Sequence, residues 1–257
     1  MNVVVCVKQI PDPNTPPALD PNTKTIVRTS QVVDDSDSYG VEMGLRIADQ
    51  TGGSVTLVSM GPGVQTQGLR TALDMGAAKA VVVSDDALQA SDALSTAKVL
   101  AKVIEREGFD LVITATESTD GYTGTLPAQI AQLLGVPCLT FSKHIEVADG
   151  KVKVERQTET GYDEVEAACP AVVSVTAGVV EPRYPSFKGI MAAKQKPLEQ
   201  LSLSDIGLDA GEAGGQAARQ EIVTVEPAPE RSAGEIVEDD GEAFKRIVEY
   251  LESIKAI

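Results

Sequence analysis

The chain has 257 residues, 42% hydrophobic and 4% aromatic with no Trp, so its core is expected to consist of Val, Ala, Leu and Ile. Such cores suit parallel strands covered by helices on both faces, and the length fits one large α/β domain with an appendage. A formal net charge of -16 argues against nucleic-acid or membrane binding; Cys6, Cys138 and Cys169, far apart in sequence and with His144 as the one histidine, argue against a zinc site or a disulfide framework.

Val3 to Val7 is an apolar β-branched run that predicts a buried strand rather than a signal segment. Ser38 to Asp49 predicts a helix with Val41, Leu45 and Ala48 on one face and Asp37 as its cap. Val55 to Met60 is the next strand and ends in Gly61-Pro62-Gly63. Gln65 to Met75 is helical, with Leu69 and Leu73 inward, and Ala80 to Val83 is a strand. A helix follows over Ser91 to Arg106, capped by Ser91, then a strand over Asp110 to Ala115 and a helix over Leu126 to Leu134 that stops at Gly135. This alternation predicts an open, mostly parallel, doubly wound sheet.

After Gly135 the period changes to two. Ile145 to Val147 and Val152 to Glu155 alternate around Asp149-Gly150, a hairpin signal. Tyr162 to Ala168 alternates again, and Ala171 to Val175 is apolar throughout and returns to the core. A small antiparallel extension on the parallel sheet is therefore expected. Residues 1–200 are read as the nucleotide-binding domain and 201–257 as a linker and C-terminal arm. Gly211 to Gln216 reads as a flexible link, Ile222 to Val225 as a strand, and Ala243 to Ile254 as an amphipathic helix with Phe244, Ile247, Val248, Leu251 and Ile254 on one face. Such an arm needs a surface to cover its apolar face, at home or on a partner. No apolar stretch is long enough to span a bilayer, and the cysteine usage fits a reducing cytoplasm.

In a doubly wound sheet the binding crevice lies at the carboxyl ends of the strands. The richest loop there runs from Thr116 to Thr125 and leads into a helix. Gly121 and Gly124 allow close approach of the backbone to a phosphate, and Ser118, Thr119, Thr123 and Thr125 add hydroxyls at a helix start that attracts anions. An ordinary capped helix after a turn would look the same. Neither a P-loop motif nor a G-x-G-x-x-G after the first strand is present. Asp34, Asp35 and Asp37 could hold Mg²⁺ or a ribose hydroxyl, or simply open a helix; the structural reading is preferred for Asp37, and Asp34 stays open. No catalytic constellation and no metal centre are read from the chain.

The segment Val180-Glu181-Pro182-Arg183-Tyr184-Pro185-Ser186-Phe187-Lys188-Gly189-Ile190-Met191, followed by Ala192-Ala193-Lys194, is more specific. It resembles the signature of the electron transfer flavoprotein beta subunit family: E-P-R-Y, a short variable stretch, I-M, then Ala and Lys. The opening Val5-Cys6-Val7-Lys8-Gln9-Ile10-Pro11-Asp12, the Gly61-Pro62 pair, the Thr71 to Ala77 stretch and the Asp120-Gly121 loop are similar to the family as well.

That resemblance implies a heterodimer in which an alpha subunit holds most of the FAD and this chain binds AMP as a structural nucleotide. Electrons would arrive from acyl-CoA dehydrogenases and other flavin dehydrogenases and leave through electron transfer flavoprotein-quinone oxidoreductase. The chain itself would turn over no substrate. An electron-bifurcating variant would instead hold a second FAD here, with NADH as donor. Carried over by position, the nucleotide would touch Cys6, Asp34 and Met60 and lie on Ser118, Thr119, Asp120, Gly121, Tyr122, Thr123, Gly124 and Thr125. Partner recognition would fall to Glu181, Pro182, Arg183, Tyr184, Phe187, Ile190 and Met191 in a loop near 181–196. Phe187 stands where the family commonly has an anchoring Leu, Asp34 where it has Asn, and Ser36 where it often has an aromatic near the flavin. A universal-stress-type adenine-nucleotide protein shares the crevice but lacks the E-P-R-Y segment and the arm.

Overall fold

In the computed structural model, β1 (Asn2–Cys6) is the strand on which both layers of helices are built; Val3, Val4 and Val5 are buried on alternate faces. The structure describes residues 1–28, 31–63, 66–226, 234, 236–239 and 241–257. Among them β1 is followed by β2 (Gln9–Pro11), β3 (Gln31–Val33), α1 (Asp35–Thr51), β4 (Ser54–Gly61), α2 (Thr66–Asp74) and β5 (Lys79–Ser84). Next come α3 (Ala93–Glu107), β6 (Leu111–Ala115), α4 (Leu126–Leu134), β7 (Cys138–Ala148), β8 (Lys151–Gln157), β9 (Tyr162–Ala168) and β10 (Ala171–Val175). The chain continues through α5 (Phe187–Ala193), β11 (Leu198–Leu201), α6 (Gly214–Ala217) and α7 (Ala243–Ser253). Residues 1–222 form one unit and 223–257 a second.

The large sheet has the order β11-β5-β4-β1-β6-β10-β7-β8-β9. Every ladder from β11 to β7 is parallel, and β7, β8 and β9 pair antiparallel. The doubly wound sheet with an antiparallel extension is thus as expected. Val3, Val5, Leu57, Ile113 and Val173 face α1 and α2 in one core, while Val4, Val58, Val112 and Val172 face α3 and α4 in the other. Burial on both faces is why these strands read as unbroken apolar runs. The chain winds outward through β4 and β5, then returns through α3 to place β6 on the other side of β1. That reversal opens a crevice at the carboxyl ends of β1, β4 and β6.

Two caps differ from the sequence reading. Asp34, with extended φ and ψ of -60 and 127, caps α1 by accepting from Ser36 N–H at 3.0 Å; Asp37 lies inside the first turn. Likewise Asp92 caps α3 through Ser95 N–H at 2.7 Å, while Ser91 Oγ donates to the Leu88 carbonyl. At α3 the carboxylate is a stronger acceptor of neighbouring N–H groups than the hydroxyl; at α1 the helix simply begins before Asp37 and so takes the aspartate ahead of it as cap. Short β2 and β3 form a separate antiparallel pair that the sequence does not announce. Gln65, expected to open the second helix, lies outside the described residues.

Two tail elements also differ. Ile222 to Val225 is not a strand: the ladders of the two sheets, among the described residues, do not include it. A β-branched run becomes a strand only beside a strand that can complete its hydrogen bonds. The stretch expected as a flexible link is docked instead. Ala213 is fully buried, and a Cβ on Gly214 (φ +61) would lie 1.8 Å from the Ala87 carbonyl oxygen. In the second unit α7 forms as expected, with Phe244, Ile247 and Val248 exposed.

The glycine at 214 is required by backbone contact as well as by its positive φ. Gly214→Ala is expected to lower stability by about 1–3 kcal/mol, read as a drop in the urea midpoint at unchanged m-value; an unchanged midpoint would show that this segment is not docked in solution.

Candidate functional site

Lys8 follows β1 and is the hub of the crevice. Its N–H donates to Asp37 Oδ2 at 2.6 Å, and its carbonyl accepts from Asp34 N–H at 3.0 Å. Its Nζ reaches across to the loop after β6, donating to Ser118 Oγ at 3.0 Å and to Asp120 Oδ1 at 2.6 Å. Arg28 completes the group: Nη2 pairs with Asp120 Oδ2, and Nη1 donates to the Gln9 carbonyl at 3.0 Å. Burial opposes ionisation of Asp120, but the Lys8 and Arg28 charges and hydrogen bonds prevail and hold its carboxyl below the usual range. Both cations are thus held on the loop after β6 by one carboxylate, in an otherwise acidic chain.

Asp34 is fully buried and joins α1 to the same loop. Its oxygens accept from Thr119 N–H at 2.7 Å, Thr119 Oγ1 at 2.6 Å and Ser36 N–H. The Asp34–Asp35–Asp37 cluster is therefore not an array of carboxylates aimed at one ion: Asp34 and Asp37 accept from protein donors, and Asp35 is exposed.

The Thr116 to Thr125 loop ends in an open helix start. Thr125, at the head of α4, makes no side-chain capping bond, so the Leu126 and Ala128 N–H groups have no side-chain acceptor there, while Pro127 between them has no N–H to offer. Gly124 (φ +63) has no atom within 4 Å of where a Cβ would stand, Thr123 and Thr125 are exposed, and Tyr122 (φ +46) is 76% exposed. Ser118 Oγ accepts from Gly121 N–H at 3.2 Å and so shapes the turn. Uncapped N–H groups, backbone open to approach and two nearby cations are the donor set that a nucleotide phosphate requires.

Cys6 and Met60 line the ends of β1 and β4 and pack toward the α3 and α4 core. Burial, reinforced by the Asp37 charge, pushes the Cys6 thiol far up, so it stays protonated and is no nucleophile. Beside the Thr116 to Thr125 loop lies an open groove of ≈ 590 Å³ lined by Ser36, Glu117, Tyr122, Phe141, Thr158 and Thr176. Phe141 (φ +56), 45% exposed at an irregularity in the β7–β10 ladder, was not singled out by the sequence, nor were Lys8 and Arg28. For Lys8 the signal was its place just after β1; Arg28 lies in a segment with no periodicity.

The segment from Glu181 to Met191 lies over α1 and α2. Pro182 is half-buried, and the Arg183 guanidinium bonds inward: Nε to Glu42 Oε2 at 2.6 Å and Nη2 to Asp49 Oδ2 at 3.3 Å. Although burial opposes it, hydrogen bonds from Arg183 and Arg46 hold the Glu42 carboxyl below its usual range. Beyond Arg183 the chain turns outward. Tyr184 is 91% exposed, Phe187 81%, Met191 51% and Ile190 39%. Residues Phe187 to Ala193 form α5, capped by Ser186 Oγ accepting from Gly189 N–H at 3.0 Å.

Asp37 carries a pH signature. Burial, with the Asp34 charge adding and the Lys8 N–H bond opposing, pushes its pKa from 3.8 up to about 8. The folded pKa is raised, so the folded chain holds a proton that the unfolded chain releases; this contribution is complete below about pH 4 and is lost as pH rises through about 8. Asp37→Asn keeps an acceptor for Lys8 N–H but cannot ionise. Its stability relative to the parent chain is expected to rise steadily from pH 4 to pH 8 in urea titrations; a pH-independent difference would refute the buried, protonated carboxyl.

The family model described as electron transfer flavoprotein domain matches residues 23–206. The electron transfer flavoprotein subunit beta of Mycobacterium tuberculosis (strain ATCC 25618 / H37Rv) is 42% identical over 264 residues, covering 100% of this chain and 99% of the relative. That of Thermoanaerobacterium thermosaccharolyticum is 35% identical, with 98% of both chains covered. A protein of Acetobacterium woodii, caffeyl-CoA reductase-Etf complex subunit CarD, is 33% identical over 92% of both chains. With its doubly wound sheet, its crevice and its full-length likeness to these proteins, the chain belongs to the electron transfer flavoprotein beta subunit family.

Proposed function

We propose that this chain binds AMP in the crevice at the ends of β1, β4 and β6 and docks the heterodimer onto acyl-CoA dehydrogenase-type partners. The observation that carries the nucleotide half is the convergence of the uncapped α4 start with Lys8 and Arg28 on one loop. In this reading the AMP phosphate meets the N–H groups around Gly124, and Lys8 and Arg28 balance its charge. AMP is structural: it fills the crevice and stabilises the fold by mass action, about 2.7 kcal/mol at a hundredfold over its dissociation constant. FAD, held mainly by the alpha subunit, supplies the reversible uptake of electrons. The chain's own residues bind, orient and dock.

The docking half rests on Tyr184, Phe187, Ile190 and Met191, an apolar stripe exposed on a chain of net charge -16. The relative from Acetobacterium woodii carries a CoA-linked reductase in the name of its complex, which fits a partner of that chemistry. Electron transfer flavoprotein-quinone oxidoreductase is the acceptor in this reading. The apolar face of α7 covers the alpha subunit, and the assembly works in the cytoplasm, where Cys6, Cys138 and Cys169 stay reduced. A second FAD in place of AMP, with NADH as donor, is favoured by one observation, the open groove beside Tyr122 and Phe141.

Quantifying the nucleotides released from the purified heterodimer separates the two readings. One FAD and one AMP per heterodimer are expected; two FAD and no AMP would move the crevice to a redox role. Gly124→Glu sets a carboxylate into the phosphate position and is expected to abolish AMP recovery, while full recovery would refute the loop assignment. Phe187→Ala is expected to weaken dehydrogenase docking by about 2 kcal/mol or more with flavin content intact, and unaltered turnover across partner concentrations would refute the anchor.

A further inference from the structure

We infer that Arg70, on α2, is a positioning residue that sets the docking segment in place before the partner arrives. The inference rests on the docking reading above. Arg70 Nη1 donates to the Ala193 carbonyl at 3.0 Å and to the Lys196 carbonyl at 2.9 Å. The first closes the last turn of α5; the second lies three residues further along the chain. The bond is reciprocated, because Lys196 Nζ donates to the Leu73 carbonyl near the end of α2 at 3.0 Å. Arg70 on α2 thus bonds one carbonyl at the end of α5 and one just beyond it, and Lys196, three residues past α5, bonds a carbonyl in the last turn of α2, where helices leave C=O groups without intrahelical donors.

The backbone contact is equally close. A Cβ on Gly189 would stand 2.9 Å from the Asp74 carbonyl oxygen, so α5 approaches the end of α2 to a distance that only glycine permits without movement. Ala193 is buried in the core beneath. At the other end of the segment Arg183 is held on α1 by Glu42. Between these two fastenings lie Tyr184, Phe187, Ile190 and Met191, all exposed.

Each fastening removes conformations that docking would otherwise have to remove. A preordered segment loses less freedom on association, so its partner binds more tightly at equal contact. Arg70 makes no contact with the crevice groups Lys8, Arg28, Asp34 or Asp120 among its hydrogen bonds. The packing of α2 itself depends on Leu69, Ala72 and Leu73, which are buried and leave the Arg70 guanidinium free to serve α5. The arginine therefore acts on recognition through α5, and its hydrogen bonds lie on that side of α2.

The test uses the purified complex of this chain with its alpha subunit as electron acceptor for an acyl-CoA dehydrogenase that reduces the wild-type complex. Arg70→Ala is expected to raise the dehydrogenase's KM for the complex about tenfold with kcat unchanged, the pattern of lost binding rather than lost chemistry. Arg70→Lys, which keeps one donor group, should recover part of the loss. Gly189→Ala disturbs the same contact with the cation intact and should raise KM in the same way. Unchanged KM in both Arg70→Ala and Gly189→Ala, while Phe187→Ala raises it, overturns the role of Arg70 and leaves docking through Phe187 standing. A lower melting temperature in Arg70→Ala at unchanged KM overturns it too, since that is a purely structural effect. If Phe187→Ala itself leaves KM unchanged, the docking reading fails and this inference with it.

Discussion

A buried carboxylate holds the crevice together. Asp34 is fully buried, and an isolated ionised carboxyl in that position would be strongly unfavourable. It is accommodated because three donors, Ser36 N–H, Thr119 N–H and Thr119 Oγ1, converge on its two oxygens. An amide at the same place would offer one acceptor oxygen to those donors, where the carboxylate offers two. The pairing joins the start of α1 to the loop after β6, across the end of β1. Because the Lys8 carbonyl accepts from Asp34 N–H, the turn out of β1 is bound into the same set. The crevice thus has walls fixed from three elements that come together only through the reversal of sheet order.

Much of the sheet was legible because burial on two faces leaves a strong compositional mark. Val3 to Val5 and Val81 to Val83 are runs of β-branched residues, Val172, Val173 and Val175 nearly so, and Tyr162–Ala168, Ala171–Val175 and Leu126–Leu134 were read to the residue. Where an element lacks that mark it was missed. In β11 the sequence Leu-Glu-Gln-Leu is four residues without a β-branched side chain, and only its parallel pairing with β5 makes it a strand. α5 was hidden because Pro182, Pro185 and Gly189 dominate its surroundings and announce a loop. Its helix exists by virtue of the Ser186 cap and its contact with α2.

The site was half legible for a related reason. A Gly- and Thr-rich loop before a helix is visible in one dimension, and so is its place at the end of a strand. The Arg28–Asp120 pair joins residues 92 positions apart, and neither lies in a pattern that points to the other. Asp34 stays open in the sequence between a ligand and a helix start, and its protein donors were hidden for the same reason: Thr119 is 85 residues away. Gly214 illustrates the converse. Glycine and alanine in series resemble a link, yet here small size is what lets backbone meet backbone at Ala87.

α1 connects the two surfaces that matter. Its first turn shapes the crevice through Asp34 and Asp37, and its middle holds Arg183 through Glu42 and Asp49. The helix lies close on the sheet because Gly44 faces Val5, where an added Cβ would come within 2.9 Å of a Val5 methyl carbon. A displacement of its start is therefore resisted by β1 rather than absorbed locally, since packed interiors transmit strain. The segment from Arg183 to Lys196, which carries docking in the proposed function, inherits its position from α1 at Arg183 and from α2 at its other end. A nucleotide that fastened the loop after β6 to the start of α1 would act on docking through that one helix, with no movement of the sheet required.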